Sequence, residues 1–464
     1  MDRLVVIGGV AAGTTAATRA RRCCKDGTIT IYEQEDFVAY AGCGMPYYIS
    51  GVTADYRGLI ARTPEEFREK NGVDVLTGHR VLEIDAAGRR VKVADLEGER
   101  EFWSEYTRLL ISTGASALVP PVDGVNLEGC FLLRKLADSI AIKAFLEKRN
   151  PSRAVIVGAG PIGMEMCESF RLAGLEVSVV EMAGEVMPLM DPDMAAILRE
   201  KLEKMDVKCL PGQRLEAVEG DAGGVRGVVT SSGRIECDIV LLGIGIRPVT
   251  DIASAAGVEL GVKGAIKVDR LMRTNVPDIY AAGDCATTTN TITGRQAWMP
   301  LGSTSRKQGR LVADNMFGAA LEFPGVQGTS IVKCFDLTIG RTGLNETEAR
   351  DAGFDPVEVS METGSLNSYF PGGGNMRLKL LADRSGGRLL GAQVVGDLAS
   401  TAEKRLDVIA VAIGARMTAC DLQYLDLAYA PPYSAAVDAP IIAGNLMAGK
   451  LLGKPCSCGP EGLE

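Results

Sequence analysis

One cysteine, Cys43, stands in the segment YAGCGMPYYISG, after two small residues and just before Gly44 and Pro46. That composition suits a loop turning into a helix, because proline is tolerated in a first helical turn. A helix amino end favours thiolate over thiol, and the thiolate is the attacking species in disulfide exchange. Cys43 is therefore a candidate redox-active sulfur, while the same spacing also suits an inert structural thiol. The chain has 12 cysteines in 464 residues. Scattered over that length they look unlike a small secreted disulfide scaffold, and most are expected to be reduced, buried small hydrophobes. The single histidine, His79, lies in GHRVLEID among expected strand residues and is read as structural. Adjacent Cys23 and Cys24 need no redox role, and the tail KPCSCGPEGLE adds Cys456 and Cys458 as a C-x-C pair.

A reactive sulfur needs elements that hold it beside an electron source, and the sequence supplies two copies of one such unit. RLVVIGGVAAGTTAATRARR is followed by TITIYEQED, and RAVIVGAGPIGMEMCESFRLAGLEVSVVEMAGE recurs about 150 residues later. In each, an apolar strand ends in a glycine-rich turn, a helix follows with small residues toward the sheet, and a second strand closes on an acid. Gly158, Gly160 and Gly163 form a complete G-x-G-x-x-G, with Glu181 placed 18 residues after the last glycine to accept a ribose hydroxyl. The first copy reads Gly8, Gly9, Val10, Ala11, Ala12, Gly13, so valine stands at the middle glycine position, and Glu33 lies 20 residues beyond Gly13. Two dinucleotide folds are expected. Further on, the strand DIVLLGIGI carries Gly245, and TNVPDIYAAGDCA delivers Asp284 after Gly283.

Composition excludes several alternatives. With 50 Lys+Arg against 59 Asp+Glu, a formal charge of -9 and a pI near 5.1, no global basic field is available for nucleic acid. No stretch approaches the roughly 20 apolar residues of a bilayer span. The apolar run Leu4–Ile7 begins too close to the start for a signal peptide, so a cytoplasmic protein is expected. No metal site is expected. From about Gly328 the texture changes to IVKCFDL, MRLKLLAD, LLGAQVVG and a helix over 402–415, an α+β terminal domain.

Taken together, the two nucleotide repeats, the Gly283-Asp284 motif and the terminal domain resemble the pyridine nucleotide-disulfide oxidoreductases over essentially the whole chain. Within them the pattern is most similar to the single-cysteine branch of coenzyme A disulfide reductases, persulfide reductases and NADH oxidases. The resemblance implies an α/β fold with two Rossmann-like domains, for FAD and NAD(P), plus an α+β dimerisation domain. It implies FAD-binding parts at 1–118 and 247–326, an NAD(P)H domain at 119–246, a dimerisation domain at 327–450 and a cysteine-containing tail at 451–464. The first repeat would bind FAD through Gly8, Gly9, Ala12, Gly13 and Glu33, with Thr113 and Gly114 of LLISTG near the flavin and Gly283-Asp284 at its ribityl-pyrophosphate region. The second repeat would bind NADH or NADPH through Gly158, Gly160, Gly163 and Glu181, with Gly245 among the cofactor residues. Glu181 favours NADH, since a 2'-phosphate would meet its charge.

Glutathione-reductase-like members carry two redox cysteines and a terminal His-Glu pair, and neither is present here. The implied mechanism is then single-cysteine: hydride passes to the flavin, and electrons pass to sulfur at Cys43. In DLAYAPPYSAAVDAP, Tyr429 matches the tyrosine that the partner subunit places beside the substrate sulfur, where a phenol protonates a departing thiolate. A second family tyrosine falls in a Tyr-Tyr-Pro context that here reads Tyr369-Phe370-Pro371. The acceptor is expected to be a small disulfide, persulfide or polysulfide, with coenzyme A as a candidate substrate and Arg19, Arg21 and Arg22 as candidates for its 3'-phosphate. Two departures bear on substrate. Ala39, Tyr40, Ala41 and Gly42 replace the Ser-Phe-x-Asn of coenzyme A disulfide reductases, and GGVAAG lacks the histidine usual in water-forming oxidases. A homodimer is expected, with partner proteins open. The alternatives are an oxygen-reducing NADH oxidase and an electron carrier or redox sensor in a larger assembly. The terminal cysteine pair is read as passive rather than as a shuttle.

Overall fold

The structure is a computed structural model that describes residues 2–453, so the expected Cys456–Cys458 pair lies outside the described residues. Two compact units are present: one comprises residues up to Leu118, Leu133–Ala144 and Gly245–Val326, the other Val119–Leu132, Phe145–Ile244 and the chain from Gln327 on. Residues 133–144, inside the expected 119–246 segment, thus pack with the first unit, and the second nucleotide fold shares one unit with the terminal domain.

The first unit is built on a parallel sheet ordered Ile279–Ala281, Arg108–Ile111, Arg3–Ile7, Thr28–Tyr32, Asp74–Leu76. The sequence RLVVI sits at its centre because both faces of that strand are covered. Leu4 and Val6 pack with Ala12, Ala16, Ala17, Ala20, Val312 and Met316 on one face. Val5 and Ile7 pack with Val81, Ile84, Val91 and Val93 on the other. The helix Ala11–Cys23 presents alanines inward, and the helix Gly302–Met316 approaches it so closely that a Cβ on Gly309 would lie 2.5 Å from the Ala12 carbonyl oxygen. The second face is covered by an antiparallel sheet, His79–Asp85, Arg90–Asp95 and Arg100–Glu105.

The second unit repeats the plan with the parallel order Val207–Pro211, Glu176–Glu181, Arg153–Val157, Ile239–Leu242, Cys130–Phe131 and its own three-stranded antiparallel sheet from Leu215 to Glu236. Its terminal part is a five-stranded antiparallel sheet, Ser330–Cys334, Leu337–Gly343, Leu389–Asp397, Asn375–Asp383, Pro356–Gly364, packed against the helices Ala402–Gly414 and Ala439–Leu451. Among the described residues, no helix is long and apolar enough to cross a membrane.

Candidate redox site

The two glycine-rich turns are the same structure at the level of single hydrogen bonds. Gly8 and Gly158 have φ of +100° and +103°, and a Cβ on either would strike a backbone carbonyl of the adjacent strand end, Ser112 in one copy and Gly243 in the other. A Cβ on Gly13 would fall on the Gly8 carbonyl oxygen, and one on Gly163 on that of Gly158. These positions exclude side chains because strand end and helix start approach backbone to backbone. The acid closing each second strand grips the turn: Gly9 N–H donates to Glu33 Oε2 at 2.7 Å and Ala159 N–H to Glu181 Oε2 at 2.7 Å. Its other oxygen accepts from the residue two further on, Glu35 N–H at 3.0 Å or Ala183 N–H at 2.7 Å. Burial dominates at Glu33 and pushes its carboxyl above the ordinary range.

The helices that leave these turns, Ala11–Cys23 and Pro161–Leu172, have no side-chain cap at their amino ends and no acid in the first turn. Unsatisfied N–H groups and the positive end of the helix dipole suit a diphosphate. Gly160 has open space where its Cβ would be, leaving its backbone approachable, whereas Val10 carries a side chain at the matching position.

In the first unit, further expected residues converge on that turn. A Cβ on Gly283 would meet Ala12 Cβ at 3.0 Å, and Gly283 N–H donates to Gln308 Oε1 at 2.8 Å. Asp284 receives Arg134 Nη2 at 2.7 Å and Ser305 Oγ at 2.9 Å, and its carbonyl accepts from Trp298 Nε1 at 2.8 Å. Arg134 Nε also donates to Ala115 O at 2.9 Å, beside Gly114, whose φ is +71°. Thr113 Oγ1 donates to Val249 O at 2.6 Å. Arg134, Ser305 and Trp298 belong to no motif visible in the sequence, and only the tertiary fold gathers them. Gly245, with φ of +122°, lies in the first unit against Leu118, while Gly243 backs the second turn. The pair of glycines in LLGIG was the signal for that position.

Cys43 is exposed, in a single tight turn, Gly42–Gly44, that runs directly into the short helix Met45–Ile49 with Pro46 in its first turn. The segment hangs from the first glycine turn, since Ala39 N–H donates to Gly9 O at 2.9 Å, with Ala39 at φ +49°. It is tied to the neighbouring loop by Ala41 N–H to Leu59 O at 2.8 Å, and a Cβ on Gly44 would strike the Leu59 side chain. Lys143 Nζ closes the helix carboxyl end on Ile49 O at 3.2 Å. Cys23 and Cys420 are exposed as well, whereas Cys167, Cys285 and Cys334 are fully buried, and burial raises the pKa of each. His79 packs against Tyr32 and Phe102 and bonds Thr77 O through Nδ1 at 2.7 Å.

Of the expected phosphate-binding arginines, two already have structural partners. Arg19 pairs with Asp314 at 2.6 Å, and Arg21 donates to the carbonyls of Cys24, Gly27, Asn71 and Gly72. Arg22 is exposed, as are Arg306, Lys307 and Arg310 on the helix Gly302–Met316; among the described residues none of these four forms an ion pair.

In the second unit the phenols of Tyr369 and Tyr429 lie close enough to shift each other's titration, with Asn367 Nδ2 at 3.4 Å from Tyr369 Oη. Their proximity lowers the pKa of Tyr369 and raises that of Tyr429. So although Tyr-Phe-Pro retains one tyrosine of the Tyr-Tyr-Pro context, its phenol meets Tyr429.

A fold with two such nucleotide turns and an exposed sulfur defines a class. Residues 2–309 match the family described as pyridine nucleotide-disulphide oxidoreductase, and residues 329–440 match the dimerisation domain of that family. The chain belongs to this family, and it is an oxidoreductase of a class dependent on FAD and NAD(P)H. An NAD(P)H coenzyme A polysulfide/persulfide reductase of Pyrococcus horikoshii is 36% identical over 446 residues, 96% of this chain and 98% of the relative. An NADH oxidase of Methanocaldococcus jannaschii is 34% identical, over 93% of this chain and 95% of its own. The solved structure of an NAD-dependent persulfide reductase from A. fulgidus superposes with a TM-score of 0.94 at 37% identity, covering 97% of this chain and 84% of that one.

Proposed function

We propose that the chain uses NADH to reduce a small disulfide, persulfide or polysulfide, coenzyme A disulfide being the test substrate, through the one reactive sulfur of Cys43. The observation that carries this reading is the suspension of the exposed Cys43 turn from the first nucleotide turn by the Ala39–Gly9 hydrogen bond. FAD, when bound at the first repeat, supplies two electrons at a time from the nicotinamide to sulfur. Gly8, Gly9, Ala12, Gly13 and Glu33 form its diphosphate and ribose side, and Thr113, Gly114, Gly283 and Asp284 its far side. Gly158, Gly160, Gly163 and Glu181 take the nicotinamide nucleotide, and the Glu181 carboxylate disfavours a 2'-phosphate.

Cys43 thiolate attacks one sulfur of RSSR, the S–S bond breaks, and Cys43–S–S–R forms with release of RS⁻, which Tyr429 of a second copy of the chain protonates. Two electrons then break the mixed disulfide and return Cys43 thiolate and a second RS⁻. The sum is RSSR + NADH + H⁺ giving 2 RSH + NAD⁺. Exposed Arg22, Arg306, Lys307 and Arg310 offer charge to the phosphates of a coenzyme A substrate. We assign 1–118 and 247–326 to FAD, 119–246 to NAD(P)H and 327–450 to a homodimer interface, in a reducing cytoplasm that keeps the thiols reduced.

The test is anaerobic NADH oxidation by the purified yellow protein, with coenzyme A disulfide, polysulfide or oxygen supplied in separate assays. Turnover with a sulfur acceptor that vanishes in Cys43→Ser supports the reading. Turnover with oxygen alone identifies an oxidase instead, and rapid flavin reduction with no acceptor turnover identifies a partner-dependent carrier.

A further inference from the structure

The two phenols are exposed, Tyr369 by 68% and Tyr429 by 49%, so little packing of their own holds them in place. They lie on two loops far apart in sequence: the loop 365–374, between the strands Pro356–Gly364 and Asn375–Asp383, and the loop 423–438, which leads into the helix Ala439–Leu451. Where an exposed side chain sits is then set by where its loop is anchored. Both loops are anchored on one guanidinium.

Arg405, on the helix Ala402–Gly414, is completely buried. Its Nη2 donates to Ser365 O at 3.0 Å, at the start of the Tyr369 loop. Its Nε donates to Asp438 Oδ1 at 2.8 Å, at the end of the Tyr429 loop. Its Nη1 donates to Ser400 O at 3.0 Å and to the Thr401 hydroxyl. From these anchors each loop is tied onward. Ser365 Oγ accepts from Gly374 N–H at 3.1 Å and donates to Ala399 O at 3.3 Å, which closes the first loop at its neck. Asp438 caps the following helix at Ala439 N–H, 2.8 Å, and buried Ser434 Oγ donates to Ala428 O at 3.2 Å, in the peptide preceding Tyr429.

A buried cation is tolerated only when its donors are matched, and the planar fork of arginine fixes the directions in which those matches lie. The guanidinium thus sets the spacing between two backbone segments that nothing in the sequence relates. We propose that Arg405 is a positioning residue, holding the Tyr369 and Tyr429 loops at the separation that keeps their phenols beside each other. The inference rests on the reading of Tyr429 as a proton donor only for its kinetic consequence.

The experiment uses the flavin-loaded, full-length protein labelled with 3-fluorotyrosine, with lines assigned by Tyr369→Phe and Tyr429→Phe. In the parent protein, Tyr369→Phe moves the Tyr429 line. In an Arg405→Lys background that cross-shift is lost, because an ammonium with three donors cannot span the four fixed acceptors of the guanidinium. Disulfide turnover falls by about 10- to 100-fold, the cost of a misplaced catalytic group, while flavin reduction by NADH stays within about twofold. Should Arg405→Lys fail to fold, Asp438→Asn keeps the helix cap and removes the anion facing Arg405, and a reduced cross-shift is expected there. A folded Arg405→Lys or Asp438→Asn protein with the full cross-shift overturns the inference. Undiminished turnover in Tyr429→Phe would instead remove the catalytic reading and leave the spectroscopic test of Arg405 intact.

Discussion

On the proposed route, removing the Cys43 sulfur should separate two half-reactions that share one protein. Cys43→Ser is expected to keep FAD and nicotinamide binding and rapid bleaching of the flavin by NADH, while disulfide reduction falls to background. Stopped-flow absorbance and thiol release measure the halves separately, and disulfide turnover in the serine variant would exclude the single-thiol route. A second residue-scale prediction concerns Glu165 on the nucleotide helix Pro161–Leu172. Burial, aided by Glu168, pushes its carboxyl up to about 7 from an ordinary 4.5. The folded protein therefore keeps a proton that the unfolded chain has already released. Its contribution to stability is complete below the unfolded value and is lost as pH rises toward 7. Glu165→Gln should raise the thermal midpoint at pH 8 more than at pH 5; an equal gain at both would show that the carboxyl is not raised.

The elements that carry these residues are two strand-turn-helix units, and their glycines differ in what they exclude. Gly163 meets the Gly158 carbonyl, so Gly163→Ala should destabilise the second fold and weaken NADH binding together. Gly160 has φ of -75° and nothing near its Cβ position. Gly160→Ala should leave stability within about 0.5 kcal/mol, while the Kd for NADH rises about tenfold, worth about 1.4 kcal/mol, if the diphosphate lies against that backbone. Isothermal titration with NADH alongside thermal melts separates the two effects. Unchanged affinity would move the diphosphate away from this turn.

Across the second unit, the nucleotide fold and the terminal sheet are tied by polar contacts as well as packing. Lys379, 4% exposed, lies 3.1 Å from Asp191, 2.9 Å from Asp193 and 2.5 Å from Glu358. The loop after Glu181 is further held by Asp191 N–H to Gln393 Oε1 at 2.8 Å and by Asn345 Nδ2 to Leu189 O at 3.2 Å. Lys379→Met leaves Asp191, 5% exposed, without its cation. A loss of about 3 kcal/mol is expected, the lower end for a broken buried pair because the other two carboxylates reach water. Hydrogen exchange should accelerate both in residues 182–191 and in the strand Asn375–Asp383; acceleration in one alone would mean the two parts open independently. Light scattering is expected to give about twice the 49.1 kDa chain mass, and a monomer would leave Tyr429 without a partner site to serve.

The sequence by itself determined what depends on local spacing. Gly8, Gly13, Gly158 and Gly163 stand where a strand end must touch a helix start, and Glu33 and Glu181 stand where the next strand ends, so the repeated turns are legible in the spacing alone. The turn that carries Cys43 was readable because small residues and Pro46 mark a loop entering a helix, whereas spacing alone left the role of its sulfur open. The two antiparallel sheets inserted in the nucleotide folds were less legible, since their half-exposed strands alternate polar and apolar residues without a motif. Arg134 beside Asp284 and Arg405 between Ser365 and Asp438 were not readable at all. Each is joined to its partner across a long stretch of chain, and a hydrogen bond leaves no trace in spacing when its ends are brought together only by packing. The same holds for Arg19 and Arg21: their charge was visible, but their partners Asp314 and the carbonyls near Gly72 were supplied by the fold. Local backbone geometry leaves a periodic signature in the chain, whereas the pairing of a buried charge is decided by which segments the hydrophobic core makes neighbours.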